Sequence, residues 1–437
     1  MKPGTIATAP PPRFGIRDAV ATLRSEPTHA RVLGGSIIML IGSGMVSVVN
    51  FGYNVAVARL LGPANFGHAA AAVTLLMLVS AITLSFQLVC AKFVARNETD
   101  SGKSSVYHSL NKRAWRAGLL LGSALILSSG VVAHYLNLPS PWIVILLALG
   151  IAFYIPLGVK RGGLQGTCSF QRLSWNFILE ASAKFVGAVV LVELGYGILG
   201  AVAAISFSVV LAYFFPAVPP ELKKHPAAEL PASFSEGMQA IVFFTGQVII
   251  NNVDILLVKH FFTSDQAGLY AAIALVGRVI YFASWSVVSA MFPISAGAQP
   301  KDENHSVLVV PLVMVLFIAL VFIIGLTMFP EPILRAVFGP TFQMGSGMDS
   351  LMSLYAAATG CYSLGVVLMA YEMSRRIANT GWMQLVVSGA IVLGINFFHS
   401  SLHQVVVVQL ILMVVLLMIV SVPFFRFRRE AVYEEAA

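Results

Sequence analysis

The chain has 437 residues, 58% of them apolar and 11% charged, where a soluble domain has about 45–50% apolar and 25% charged. A mean hydropathy of +0.85 over the whole length excludes a soluble enzyme with one anchor, because a single span of ~20 residues cannot carry that average. Cys90, Cys168 and Cys361, with no C-x-x-C pair among them, exclude a disulfide scaffold or a thiolate zinc site as the organising principle, and the net charge of +8 depends for its meaning on where Lys and Arg fall relative to the spans.

Residues 1–32 are polar and carry Pro10-Pro11-Pro12, without the apolar core of a cleaved signal peptide, so the first span is expected to act as the insertion signal. Ile16, Val20 and Leu23 share a helical face with Arg17 and Arg24 beside it, which reads either as a surface helix on acidic lipid or as a disordered tail. Apolar stretches long enough to cross ~30 Å of hydrocarbon follow at 33–57, 68–93, 116–136, 141–159, 175–195, 197–217, 236–261, 268–293, 307–328, 348–371, 380–399 and 403–425. Stops at Gly62-Pro63, Asn137-Leu138-Pro139, Pro216 with Pro219-Pro220, and Gly339-Pro340 separate them. Continuous apolar runs of this length are not the ~10-residue alternating segments of a barrel. The expected fold is an all-α polytopic membrane protein of twelve transmembrane helices. Its parts are a tail 1–32, a lobe 33–217, a linker 218–235, a second lobe 236–425 and a tail 426–437.

With the N-terminus in the cytoplasm, the inside segments hold 22 Lys or Arg and the outside three, Arg59, Lys259 and Arg335, while Lys184 and Arg278 fall within spans. The asymmetry predicts that both termini are cytoplasmic and that the positive charge faces anionic lipid rather than nucleic acid. Asn97-Glu98-Thr99 and Asn304-His305-Ser306 then lie on inside loops and are expected to stay unglycosylated.

Sliding the chain on itself by 201 residues brings Asn50 onto Asn251, Val57 onto Val258, Gly67 onto Gly268 and Ala70-Ala71 onto Ala271-Ala272, with Val57-Ala58-Arg59-Leu60-Leu61 over Val258-Lys259-His260-Phe261-Phe262. Six spans per half is an even number, so the halves share one orientation and form a parallel repeat.

Arg59-Leu60-Leu61-Gly62-Pro63 with Phe66-Gly67, Leu164-Gln165-Gly166 with Phe170, Glu180-Ala181 with Lys184, Asn251-Asn252-Val253-Asp254 and Gly268-Leu269-Tyr270 resemble bacterial polysaccharide transporters, the oligosaccharide flippases of the multidrug, oligosaccharidyl-lipid and polysaccharide exporter superfamily. The resemblance spans about residues 33–425. It implies two six-helix lobes around a central cavity lined mainly by helices 1, 2, 7 and 8, in the inner membrane of a bacterium. It further implies transfer of undecaprenyl-pyrophosphate-linked glycan to the outer leaflet, with a polysaccharide polymerase and chain-length machinery as partners beside the membrane lipids. The second half departs from the pattern in carrying Thr263-Ser264 where the first has Gly62-Pro63.

No nucleotide-binding loop occurs, and no cofactor is expected; Gly42-Ser43-Gly44 lacks the third glycine of a dinucleotide fingerprint. His399 and His403 have no acidic neighbour and read as a solvated turn rather than a metal site. In span 1, Ser36, Ser43, Ser47, Asn50 and Asn54 share one face. Gln247, Asn251 and Asp254 repeat the device in span 7, and Arg278, Tyr281, Trp285 and Ser289 do so in span 8. These stripes suit a hydrated interior, and the serines suit interhelical packing equally well. Asn50, Asn54, Gln247 and Asn251 are candidates for sugar hydroxyls, Tyr281 and Trp285 for sugar faces or for packing.

Charges at depth are costly, ~2.5–3.5 kcal/mol on an insertion scale. Arg278, about midway along span 8, is the candidate ligand for the pyrophosphate, which a guanidinium binds with two charge-assisted bonds; an ion pair with Asp254 is its alternative. Glu180 and Lys184, four apart in span 5, are expected to neutralise each other, with a role in relaying the transition between states as the alternative. Asp254, with Arg59 and Lys259 as compensating cations, is a candidate for ion coupling or for locking an outer gate. Besides the flippase, a cation-coupled drug exporter on the same fold and a membrane glycan polymerase or acyltransferase stay open as readings. The drug exporter wants an acidic cavity, and the enzyme wants a sizeable catalytic loop, whereas the longest outer loop is about 329–347.

Overall fold

The structure, a computed structural model, describes residues 27–223, 238–297, 306–345, 348–375 and 380–435. It is helical throughout, with no strand among the described residues. Helix α1 (Pro27–Arg96) carries spans 1 and 2 as two limbs separated at Gly62, whose φ of 73° admits a glycine readily and a side chain rarely. Pro63 then opens the second limb, where its missing N–H costs nothing. Helices α2 (Asp100–Leu127) and α3 (Ser129–Tyr135), bent by 66°, form the third span, and α4 (Trp142–Gly166) the fourth. Helices α5 (Phe170–Leu191) and α6 (Gly197–Phe214) follow, joined by a π turn at Val192–Tyr196.

The second half is more broken. Span 7 is two helices, α7 (Met238–Ile250) and α8 (Val253–Phe261), parted at Asn251-Asn252, and span 8 is α9 (Ser264–Gly277) and α10 (Val279–Gly297), parted at Arg278. Then come α11 (Ser306–Met328), the short α12 (Pro330–Phe338), α13 (Leu351–Arg375), α14 (Met383–Phe397) and α15 (Leu402–Glu435). By length and composition eight of these segments can cross a membrane, or nine with the bent pair. Two of the eight, Ile41–Arg96 and Phe170–Phe214, each contain two of the apolar stretches of the sequence, and Met383–Phe397 is a shorter one. All twelve stretches are thus found as helix.

In the first half α4 packs against α1, α2 and α6. Its Gly158, Gly162 and Gly166 lie under the carbonyls of Thr83, Gln87 and Ala91 of α1, so close that a Cβ would sit 2.4, 2.4 and 2.8 Å from those oxygens. Small residues four apart let two membrane helices approach backbone to backbone. In the second half α13 has the corresponding place among α10, α11 and α15. The halves meet chiefly along α1, which packs on α7, α8, α9 and α12.

The turn that departs from the family pattern is closed by other chemistry. Thr263 caps α9 through Gln266, each side chain bonding toward the other's backbone, so a capping box replaces the positive-φ glycine and the proline. Two basic residues counted in a cytoplasmic segment are corrected: Lys160 and Arg161 are buried inside α4, which runs to Gly166 instead of ending at 159. Taking both out of the 22 leaves twenty on that side against three. The tail 1–26 with Ile16, Val20 and Leu23, linker residues 224–237, Asn304, and the side chain of Ser36 lie outside the described residues.

Candidate functional site

Two buried polar centres, one in each half, and a seam between the halves hold the residues singled out by the sequence. In the second half Asp254 sits in the first turn of α8 and is 1% exposed. Arg278 Nη2 donates to its Oδ1 at 3.0 Å, and the Tyr270 and Tyr355 hydroxyls each lie 3.0 Å from its Oδ2. Arg278 Nε donates to the Tyr355 oxygen at 3.2 Å, and the Tyr270 hydroxyl is also 3.2 Å from Gln409 Oε1. A carboxylate without water needs this many donors. Of the two roles open to Arg278, the structure shows the ion pair with Asp254. That pair ties the start of α8 to the interruption of span 8, so it stitches two broken helices together. Neither Arg59 nor Lys259 compensates Asp254.

Beside this centre Asn251, Tyr355, Thr359, Tyr362 and Gln409 line a small cavity. Gln247 is buried with its Nε2 unpartnered. Tyr281 stacks on Tyr362 with ring centroids 5.8 Å apart, and Trp285 packs edge-on to Phe244. Both aromatic candidates therefore take part in packing the second half.

In the first half the expected pair is not formed. Glu180 is bound by Arg161 of α4, which also donates to Asn176 Oδ1 at 2.7 Å. Lys184 instead donates to Asn50 Oδ1 of α1 and lies 4.8 Å over the Tyr53 ring. The reason is reach: on α5 a spacing of four sets Glu180 and Lys184 side by side, but α4 offers Glu180 a guanidinium with two N–H groups to aim, the stronger donor set. Asn176 and Lys160 complete this cluster by donating to carbonyls in the last turn of α6 and just past it, Asn176 Nδ2 to Ala212 and Phe215 at 2.7 and 2.8 Å, Lys160 Nζ to Ala212 and Tyr213 at 3.0 and 2.7 Å. Terminal carbonyls lack helix partners, so buried cations there are compensated. It follows that Glu180→Gln with Arg161→Met should recover the thermal stability that either single change loses, whereas Glu180→Gln with Lys184→Met should not. Melting curves of the four purified variants in detergent check this, and recovery by the Lys184 combination alone would refute it.

On α1, Ser43 and Ser47 are exposed and bond their own helix carbonyls, those of Met39 and Ser43, which removes interhelical bonding as their role. Asn54 and Asn251 likewise donate to the carbonyls four residues back, those of Asn50 and Gln247, leaving their Oδ1 atoms uncommitted by those bonds. Tyr53, Arg161, Asn176, Tyr355 and Gln409 were not singled out by the sequence reading, and Tyr270 entered it only as part of a motif. The signal was present: a tyrosine or amide inside an apolar helix asks for a partner, but nothing in one sequence says which.

The seam is where the halves touch closely. At the crossing of the second limb of α1 with α9, a Cβ on Gly67 would lie 2.8 Å from the Ser264 carbonyl and one on Gly268 would lie 1.8 Å from the Pro63 carbonyl. Beside it Phe66 packs on Phe338 and Phe342, centroids 6.2 and 6.0 Å away. Arg59, at the end of the first limb, donates to the Val337 carbonyl at 2.8 Å and to that of Ala336 at the end of α12. His260, at the end of α8, meets the Tyr135 carbonyl at 2.6 Å through Nδ1, and its ring stacks on Tyr135 at 3.9 Å. Lys259 Nζ donates to the Asn137 carbonyl at 3.3 Å and to Ser264 Oγ at 3.0 Å. His399 is no free turn residue, since it stacks on Phe261 at 3.9 Å.

The family model described as polysaccharide biosynthesis protein matches residues 56–344. Among solved structures the chain is similar to a multidrug resistance MATE family transporter of the MOP superfamily in its inward-facing conformation, at 14% identity and a TM-score of 0.73, covering 92% of this chain and 100% of that one. An outward-facing conformation of such a transporter matches at 15% identity and a TM-score of 0.60, covering 95% and 98%. A MATE protein in a straight conformation matches at 14% and 0.58, covering 95% and 99%. No curated protein sequence matches. The fold is that of these twelve-helix transporters.

Proposed function

The chain belongs to the polysaccharide biosynthesis protein family, and from that premise we propose that this multi-pass membrane protein exports a lipid-linked oligosaccharide, carrying its undecaprenyl-pyrophosphate head from the inner to the outer leaflet by alternating exposure of a cleft between the halves. The observation that carries the anionic substrate is Lys184. Its ammonium stands between α5 and α1 on neutral partners, Asn50 and Tyr53, and among the described residues no carboxylate is within ion-pair reach of it. The buried acids Glu180 and Asp254 are each taken by an arginine. A cationic drug would thus meet carboxylates already paired with arginines, and a pyrophosphate would meet an ammonium whose direct partners are neutral. Moving negative charge outward against an inside-negative potential is favourable by ~2.3 kcal/mol per charge per 100 mV, so the reading needs no coupling ion.

We also propose that both termini are cytoplasmic. The seam then lies at the outer end, because it gathers Arg59, Lys259 and α12 with Arg335, the three outside cations of the charge partition. Ser104 is fully buried and cannot report orientation; Lys112 is exposed, and Glu331 is half-buried with its side chain 42% exposed. In a Cys168→Ser background, Lys112→Cys should resist an impermeant thiol reagent added to intact cells and Glu331→Cys should react. The reverse pattern would invert the map.

The function is tested with the purified protein in liposomes holding a fluorescent, short-chain lipid-diphosphate sugar, transfer being read as quenching by an impermeant reductant. Transfer should depend on the protein, be lost in Lys184→Met and be partly kept in Lys184→Arg. Movement of a cationic dye without movement of the lipid-linked sugar would overturn the reading in favour of drug export, and new glycosidic bonds would do so in favour of a polymerase.

A further inference from the structure

The internal repeat has an offset of 201 residues, and two reciprocal pairs of contacts at the seam obey it. Gly67 faces the Ser264 carbonyl and Gly268 faces the Pro63 carbonyl; adding 201 to 63 and 67 gives 264 and 268. Arg59 donates to the Ala336 carbonyl and His260 meets the Tyr135 carbonyl; adding 201 to 59 and 135 gives 260 and 336. A backbone carbonyl only accepts, so His260 Nδ1 is the donor. Each side chain ends the helix that corresponds to the other's, and each grips the closing turn of a short helix in the opposite half, α12 for Arg59 and α3 for His260. Those short helices, Ser129–Tyr135 and Pro330–Phe338, also begin 201 residues apart.

We propose that Arg59 and His260 are the two arms of one reciprocal latch that holds the seam end of the transporter shut. The glycine crossing lies between them as the pivot. Two groups without sequence identity, a guanidinium and an imidazole, occupy equivalent places because both present an N–H, and each catches carbonyls at a helix end that have no donor within the helix. Surface decoration would have no reason to repeat across the two-fold, whereas a closing device must bind both sides to keep the halves from tilting open about one arm. Arg59 is exposed and His260 half-buried, so neither is needed to build its own half. The latch rests on the reading of the chain as an alternating-access transporter and is indifferent to the substrate.

The test needs no substrate. Phe66 is buried at the seam against Phe338 and Phe342 of the other half, so Phe66→Cys in a Cys168→Ser background reacts with an impermeant thiol reagent only when that end opens. Arg59→Met keeps the unbranched stem as far as the Nε position without the donors, and His260→Phe keeps the stack on Tyr135 without the N–H. Each should raise the labelling rate of the detergent-solubilised protein by roughly tenfold or more, His260→Phe losing one hydrogen bond and Arg59→Met two, and the double variant should multiply the two factors. His260→Arg, which restores the first-half residue, should label no faster than its parent. The proposal is overturned if either single change leaves the rate at the parental value or if His260→Arg opens the seam. Failure of lipid-linked sugar transfer in liposomes with the latch behaviour intact would count against the substrate reading alone.

Discussion

Gly268→Ala is expected to stop transport in a protein that still folds. The added Cβ would stand 1.8 Å from the Pro63 carbonyl oxygen, with the Gly67 nitrogen 3.2 Å away, and neither is a side chain that can swing aside. Relief requires α9 and α1 to separate by more than an ångström at the point where the halves cross. Overpacking of this kind costs about 1–3 kcal/mol or more, and with tenfold per 1.4 kcal/mol the closed seam loses roughly five- to more than a hundredfold in population. The cost falls between the halves and not inside either, so expression and melting temperature should change little. Transfer of lipid-linked sugar in liposomes should fall by about tenfold or more, and labelling of Phe66→Cys should rise. Gly52→Ala, in the facing helix α1 but with nothing within 4 Å of its Cβ, is the control and should transport normally. A Gly268→Ala protein that transports at the wild-type rate would show that the end need not close.

The second large effect is at Asp254. It is 1% exposed and is bonded by Arg278 and two tyrosine hydroxyls. Asp254→Leu strands the Arg278 guanidinium, and Arg278→Met strands the carboxylate; breaking a buried pair from one side costs about 3–5 kcal/mol. For a lobe of this size that corresponds to a fall of about 10 °C or more in melting temperature. The double variant removes both charges at similar volume and should recover most of the loss, because the pair itself contributes little net stability. Recovered stability with recovered transport would make the pair a structural stitch between α8 and α10. Recovered stability with transport still lost would return one of these groups to the transport path, and failure of the double variant to recover any stability would refute the coupling.

Helix positions were legible because twenty apolar residues in a row have one use, and the offset of 201 was legible because Gly67 and Gly268 are demanded by the same backbone approach. The turn at Gly62-Pro63 was equally plain, whereas Thr263 with Gln266 does the same work by side-chain capping and leaves a weaker trace. What could not be read was partnership. Glu180 and Lys184 sit at the spacing that pairs charges along an isolated helix, but a better donor on α4 outbids the neighbour, and α4 is a contact at long range. Arg161 and Lys160 looked like the basic border of a loop because a cation at a span's end is normally solvated; here the carbonyls closing α6 and the carboxylate of Glu180 take the place of water. The ion pair of Arg278 with Asp254 is formed for the same reason, since Tyr270 and Tyr355 arrive from other helices to complete a site for the carboxylate.

The seam maps onto itself under a half-turn, with Pro63 and Gly67 answering Ser264 and Gly268 and with Arg59 answering His260. That is the signature of an isologous contact, the kind made by two identical subunits. In a homodimer every substitution enters such a surface twice, so its strength moves only in double steps. Joined in one chain, the two sides change separately, and a closing contact can be adjusted by half as much at a time. An arginine on one side and a histidine on the other is an asymmetry that two copies of a single gene product could never display.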